Sequence, residues 1–254
     1  MLRPMTIVQG LLTFVLITLL MACAGFRPTS VPIGQKLYPA SEDVDVSGRQ
    51  LLVLLPGMEG RPGDYRDYGF IDMVHRHFPQ TDVLEVDAHF AYYRKRILLQ
   101  RLQEDVIQPA YDKGYCAVHI AGISLGGFGA LLYYQHQQKT DAPAVHSITL
   151  LAPFLGDPEF YAWLLDEEKQ QPESVEDTNL WPWLVSMSEQ QLSGIHLAYG
   201  EQDRFAESNG VLAGLLPNEQ VLVMEGRHRW PSWQKLWQAG LEQRRLVPLD
   251  DRDC

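Results

Sequence analysis

The chain is short of cysteine and of positive charge. Among 254 residues there are three cysteines, and 21 Lys and Arg stand against 32 Asp and Glu, giving a formal charge of −11 at pH 7. The net negative charge argues against nucleic acid as a partner, because phosphate binding needs clustered Lys and Arg. The densest basic run, Arg94-Lys95-Arg96 with Arg101, falls on a helix-like segment and reads as a solvated face. No internal repeat or low-complexity tract is present, which excludes a repeat array. The eight histidines are scattered. His119 and His196 fall inside strand-like runs and read as packed residues, His75 and His77 lie on a helix-like one, and His89 stands with Asp87 after another strand. None has the spacing of a metal site, and neither metal nor organic cofactor is expected.

The N-terminus carries the one long apolar run, Leu11 to Leu20, behind Met1-Leu2-Arg3-Pro4. A positive start, a short hydrophobic region and a small residue before the cleavage point predict a signal peptide over residues 1–22. The competing reading is an uncleaved anchor, for which the run is marginally long enough. Leu20-Met21-Ala22-Cys23 resembles the bacterial lipobox. That resemblance implies that Cys23 is lipidated and becomes the new N-terminus, with the mature chain exported and tethered to a membrane by acyl chains. Ala24 after the cysteine, rather than aspartate, implies the periplasmic face of the outer membrane. Residues 23–49 then form a tether, rich in Pro, Ser and Gly from Phe26 to Ser47, with room for a short strand pairing near its end. Of the other cysteines, Cys116 and Cys254 could pair in an oxidising compartment, or remain a buried thiol and a frayed terminal one.

Residues 50–254 suit a single domain of the larger α/β kind. Short apolar runs recur at Leu51–Leu55, Asp82–Val86, Ala117–Ile120, Ser147–Leu151, Ile195–Tyr199 and Gln220–Met224. Helix-length segments lie between them, about Tyr65–His77, Tyr92–Lys113, Gly127–His136, Glu207–Leu215 and Trp230–Leu246. Continuous apolar strands alternating with helices predict a mostly parallel sheet of about six to eight strands with helices on both faces. The exception is 154–193, too long for an ordinary connection, with Trp163, Trp181, Trp183 and the acidic run Asp166-Glu167-Glu168. It reads as a cap-like insertion or as a surface excursion that packs its own tryptophans.

The chemistry gathers at the ends of strands. Gly122-Ile123-Ser124-Leu125-Gly126 follows one strand and opens a helix, so the glycines let the backbone turn sharply while the serine oxygen projects outward. An activated serine needs a base to take its proton and an acid to orient that base. Asp203 follows the strand ending at Tyr199, and His228 follows the strand ending at Met224. All three leave the carboxyl edge, where the loops of a parallel sheet converge on a crevice. Asp203 has a competing role as a helix cap, with Glu201 then as the acid. Asp87 and His89 leave the same edge and could line the site.

This order of serine, acid and histidine, with Tyr199-Gly200-x-x-Asp203 and Gly226-x-His228, resembles the α/β-hydrolase family over about Gln50 to Leu246. Ser124-Leu125-Gly126-Gly127-Phe128-Gly129-Ala130-Leu131 looks especially like carboxylesterases and related acyl hydrolases. The family's two early strands have no counterpart before Gln50, which points to a reduced sheet. The resemblance implies oxyanion donors at the Leu125 amide and in Leu55-Pro56-Gly57-Met58-Glu59-Gly60, where Met58 is the expected donor and Gly57 admits the backbone. The expected activity is hydrolysis of small-molecule carboxylic esters through an acyl-enzyme on Ser124. Acyl transfer with the same triad is the alternative within enzymes, and a non-catalytic lipoprotein scaffold is the alternative outside them.

Overall fold

The computed structural model describes residues 27–40, 46, 48–166 and 179–246. The signal peptide, Cys23, Cys254, Glu167 and Glu168 lie outside the described residues. Contacts between Cα atoms divide the chain into two units, 1–30 and 31–254. Of the first, only residues 27–30 are described, and they form no helix or strand.

The second unit is built on seven strands: Gln35–Tyr38 (β1), Gln50–Leu55 (β2), Thr81–Val86 (β3), Ala117–Ile123 (β4), Ser147–Leu151 (β5), Ile195–Gly200 (β6) and Val221–Met224 (β7). Every residue of β2 to β6 is buried, as strands covered on both faces require. The order across the sheet is β1-β3-β2-β4-β5-β6-β7. All neighbours are parallel except β1, which pairs antiparallel with β3 and sets Gln35 opposite Val86. From β2 the chain moves outward to β3 and then crosses back to β4 on the other side. The strand order therefore reverses between β2 and β4, and a crevice opens beyond their carboxyl ends.

β1 lies inside the segment expected to be a tether. Ile33 is buried and donates its N–H to Asp105 Oδ2 at 2.8 Å, so the chain is fixed from there. The expected early strand pairing exists, but in the middle of the segment and on the outer side of β3.

The helices are Asp64–Asp67 (α1), Phe70–His77 (α2), Phe90–Arg94 (α3), Leu98–Leu102 (α4), Gln108–Asp112 (α5), Leu125–Lys139 (α6), Ala162–Leu165 (α7), Trp181–Ser186 (α8), Glu189–Leu192 (α9), Ala206–Ala213 (α10) and Trp230–Glu242 (α11). The single helix expected over Tyr92–Lys113 is interrupted twice. Arg96 takes φ 57° and ends the first turn, and a π-turn over Gln103–Ile107 joins α4 to α5. Pro109 accounts for the second break, since its ring would clash with the carbonyl four residues back and it has no N–H to donate. Arg101 is also not on a solvated face. It is buried and paired with Asp105 at 3.1 Å and with Glu104.

Packing of α2 against α11 is aromatic: Phe70 stacks on Trp237 at 5.5 Å, and Trp237 Nε1 donates to the Phe70 carbonyl. Cys116 is disulfide-bonded. Cys254, with which it could pair, is outside the described residues. No helix among the described residues is long and apolar enough to cross a membrane.

Candidate active site

β4 delivers Ser124 into α6 through a turn that only glycine permits on either side. A Cβ on Gly122 would collide with the Gly126 carbonyl, and one on Gly126 would collide with the Leu55 carbonyl. The strand, the helix and the end of β2 therefore meet backbone to backbone. Ser124 has φ 54° and ψ −114°, a left-handed conformation that a residue with a Cβ rarely adopts. It is held there by its N–H to the Leu151 carbonyl at 2.9 Å, while its own carbonyl accepts from Phe128 at 3.2 Å and Phe154 at 3.1 Å. The side chain is buried at the start of a 15-residue helix, whose N-terminal dipole favours negative charge nearby.

The loops after β6 and β7 bring the other two groups to this point. His228 Nε2 lies 3.0 Å from Ser124 Oγ, and His228 Nδ1 lies 2.9 Å from Asp203 Oδ2 and 3.0 Å from Oδ1. Asp203 is buried, and its Oδ1 also accepts the Phe205 N–H at 2.9 Å. Asp203 thus both caps its own turn and hydrogen-bonds the imidazole. Glu201 is exposed, and its N–H donates to the Met224 carbonyl. The imidazole is walled by ring edges, with Phe205 and Trp233 each 4.9 Å from it centroid to centroid.

Gly57 faces the serine from the loop after β2. A Cβ built there would come 3.6 Å from Ser124 Cβ. Among the described residues, no acceptor engages the backbone N–H of Met58 or of Leu125. Two tyrosines brace these segments: Tyr65 donates its hydroxyl to the Leu55 carbonyl at 2.6 Å, and Tyr93 donates to the Leu125 carbonyl at 3.0 Å. Burial pushes both phenols well above their ordinary pKa, so they stay protonated donors.

Solved structures share this architecture. The S-formylglutathione hydrolase FrmB of Staphylococcus aureus superposes with a TM-score of 0.55 at 16% identity, over 85% of this chain and 93% of that chain. A ferulic acid esterase gives 0.56 at 14% identity, over 85% and 100%. Carboxyl esterase 2 of the mycorrhizal fungus Tuber melanosporum gives 0.56 at 13% identity, over 85% and 82%. The fold is that of the α/β-hydrolases. No family model matches the chain, and no curated protein matches it.

Asp87 and His89 follow β3 at the same edge of this fold. His89 caps α3, its Nδ1 accepting the Ala91 N–H at 3.4 Å, and packs edge-on against Tyr92. The excursion over 154–193 meets the site at its first residue, Phe154, which packs 5.5 Å from Phe205. Further along, Trp183 Nε1 donates to Gln138 and the Gln191 carbonyl accepts from Tyr134, both on α6, while the Leu192 and Ser193 carbonyls accept from Gln220 Nε2. Trp181 is fully buried and donates to the Leu155 carbonyl. A cavity of about 190 Å³ sits elsewhere, between Leu37, Leu51, Leu84 and Tyr115 near the amino ends of β2 and β4. Among the described residues no group of three or more His, Cys, Asp and Glu is placed to hold a metal ion. Sequence reasoning did not reach Phe205 and Trp233, although both stand within five residues of Asp203 or His228.

Proposed function

We propose that the chain is a serine hydrolase that cleaves carboxylic esters through an acyl-enzyme on Ser124. The observation that carries this reading is the unbroken line Ser124 Oγ, His228 Nε2, His228 Nδ1, Asp203 Oδ2, with hydrogen-bond distances of 3.0 and 2.9 Å. Ser124 Oγ attacks the ester carbonyl carbon as His228 Nε2 takes its proton. Asp203 fixes the ring orientation and stabilises the imidazolium. The N–H groups of Met58 and Leu125 receive the oxyanion, for which their lack of an internal acceptor suits them. His228 then returns the proton to the leaving alcohol oxygen, and water repeats the cycle to release the acid. The solved neighbours described as hydrolases and esterases agree with this choice of reaction.

The test is a fluorophosphonate probe, with the adduct located by mass spectrometry. Modification of Ser124, lost in Ser124→Ala and strongly slowed in His228→Ala, supports the reading. A folded protein that remains unmodified overturns it.

We propose in addition that Cys23 carries the lipid anchor and holds the exported protein at the periplasmic face of the outer membrane, a reading supported by Leu20-Met21-Ala22-Cys23 and by Ala24. Metabolic labelling with a palmitate analogue, abolished by Cys23→Ala, tests it. Absence of label on the wild-type chain removes it.

A further inference from the structure

Asp203 and His228 leave neighbouring strands on separate loops, so something must fix the two loops against each other before the imidazole can bridge acid and serine. The Glu201 N–H continues the sheet pairing to the Met224 carbonyl, and beyond it the two loops are joined at Gly226. Gln202 donates its backbone N–H to the Gly226 carbonyl at 3.0 Å, and its side-chain Oε1 accepts the Gly226 N–H at 2.9 Å. Gly226 is thereby held from both sides by a single residue adjacent to Asp203. The approach leaves no slack, since a Cβ on Gly200 would strike the Gly226 carbonyl. On the far flank, Arg227 donates its N–H to Ser232 Oγ at 2.9 Å, which ties the loop to α11 one residue before His228.

We propose that Gln202 is a positioning residue for the triad, clamping Gly226 through its side-chain amide so that His228 meets both Asp203 and Ser124. This rests on the serine-hydrolase reading above. Gln202 is exposed and touches neither the serine nor the imidazole; its Nε2 goes to Glu201 Oε2 at 3.4 Å. Its side chain adds nothing to the core, so its loss acts on alignment rather than on folding. Alignment is where small errors are costly, a displacement of about 1 Å being enough to lower rate on the order of 100-fold.

The experiment compares the detergent-solubilised full chain with Ser124→Ala, Gln202→Met and Gln202→Glu on p-nitrophenyl butyrate. Methionine keeps the length but offers no comparable acceptor, whereas glutamate still accepts the Gly226 N–H. Gln202→Met is expected to lower kcat about tenfold or more with KM within about twofold and the thermal midpoint within about 2 °C, and Gln202→Glu to recover most of the loss. The inference is overturned by a Gln202→Met enzyme with wild-type kcat, by a loss that glutamate does not recover, or by a loss that follows a fall in thermal midpoint. A wild-type chain without activity, or one whose activity survives Ser124→Ala, instead removes the hydrolase reading and this inference with it.

Discussion

Trp233 meets the His228 imidazole edge to face, with ring centroids 4.9 Å apart and planes at 88°. Trp233 is buried on α11, yet its Nε1 has no hydrogen-bond partner among the described residues. Its contribution is therefore shape. Replacing it with phenylalanine removes no hydrogen bond and keeps an aromatic wall, and relieving an unsatisfied buried donor offsets part of the lost area. Trp233→Phe is expected to keep kcat within about threefold and stability within about 1 kcal/mol. Trp233→Ala opens a cavity beside the imidazole and is expected to cost about 3 kcal/mol in urea denaturation, with a fall in kcat beyond tenfold. Equal effects from the two variants would show that the ring does not hold the histidine.

The serine is strained. At φ 54° a Cβ is crowded while glycine is not, so removing only the hydroxyl and removing the whole side chain should have opposite consequences. Ser124→Ala keeps the strain and is expected to be inactive. Ser124→Gly is equally inactive but is expected to be more stable than Ser124→Ala by about 1 kcal/mol, even after the larger entropy of the unfolded glycine chain. Denaturant midpoints of the two variants check this, and a less stable glycine variant would mean that the elbow stores no strain.

The strands, and the strand ends at which Ser124, Asp203 and His228 meet, were legible in the sequence because both depend on local chemistry. The five central strands are mostly apolar runs, β3 with Asp82 and Glu85 among them, and Ser124, Asp203 and His228 stand within a few residues of strand ends. β1 was not located because Gln35-Lys36-Leu37-Tyr38 is a short edge strand whose exposed residues carry no run of buried side chains. The break at Gln103–Ile107 had a visible signal in Pro109 that the apolar periodicity around it concealed. Arg101 became buried through Asp105, a partner one helical turn away that also takes the Ile33 N–H. Gln202 and Trp233 acquire meaning only when distant loops meet, which no local pattern records.

The loop after β2 offers a backbone test of the proposed oxyanion donor. Met58 is 55% exposed and its N–H has no internal acceptor, so a proline there removes the donor without breaking an internal bond. If that N–H receives the developing negative charge, Met58→Pro is expected to lower kcat by about 100-fold with a modest change in KM. The thermal midpoint should move little, because the side chain packs against nothing in the core. Wild-type kcat in a folded Met58→Pro enzyme would pass the role to another amide of the loop.

Acid stability should be governed in part by histidines remote from the site. His119 is buried in β4, its Nδ1 2.7 Å from Ser147 Oγ and its Nε2 without a partner among the described residues. Burial, helped by nearby His146 and His196, pushes its pKa down to about 3. Burial also lowers the pKa of His196, against the favourable effect of the Arg245 carbonyl on its charged form. Both rings are therefore neutral when folded and are protonated more readily when unfolded, where the ordinary value is about 6.5. Above that pH neither state binds a proton, and the full stability is present. As pH falls from about 6.5 towards 3, the unfolded chain takes up protons that the folded one refuses, and stability is lost. For His119 alone the loss between pH 7.5 and 5 is about 2 kcal/mol. Replacing the pair as His119→Leu with Ser147→Ala removes the titrating group and its hydroxyl partner together. Urea denaturation at the two pH values should then show a drop smaller by about that amount than in the wild type. An unchanged drop would assign the acid sensitivity to other groups.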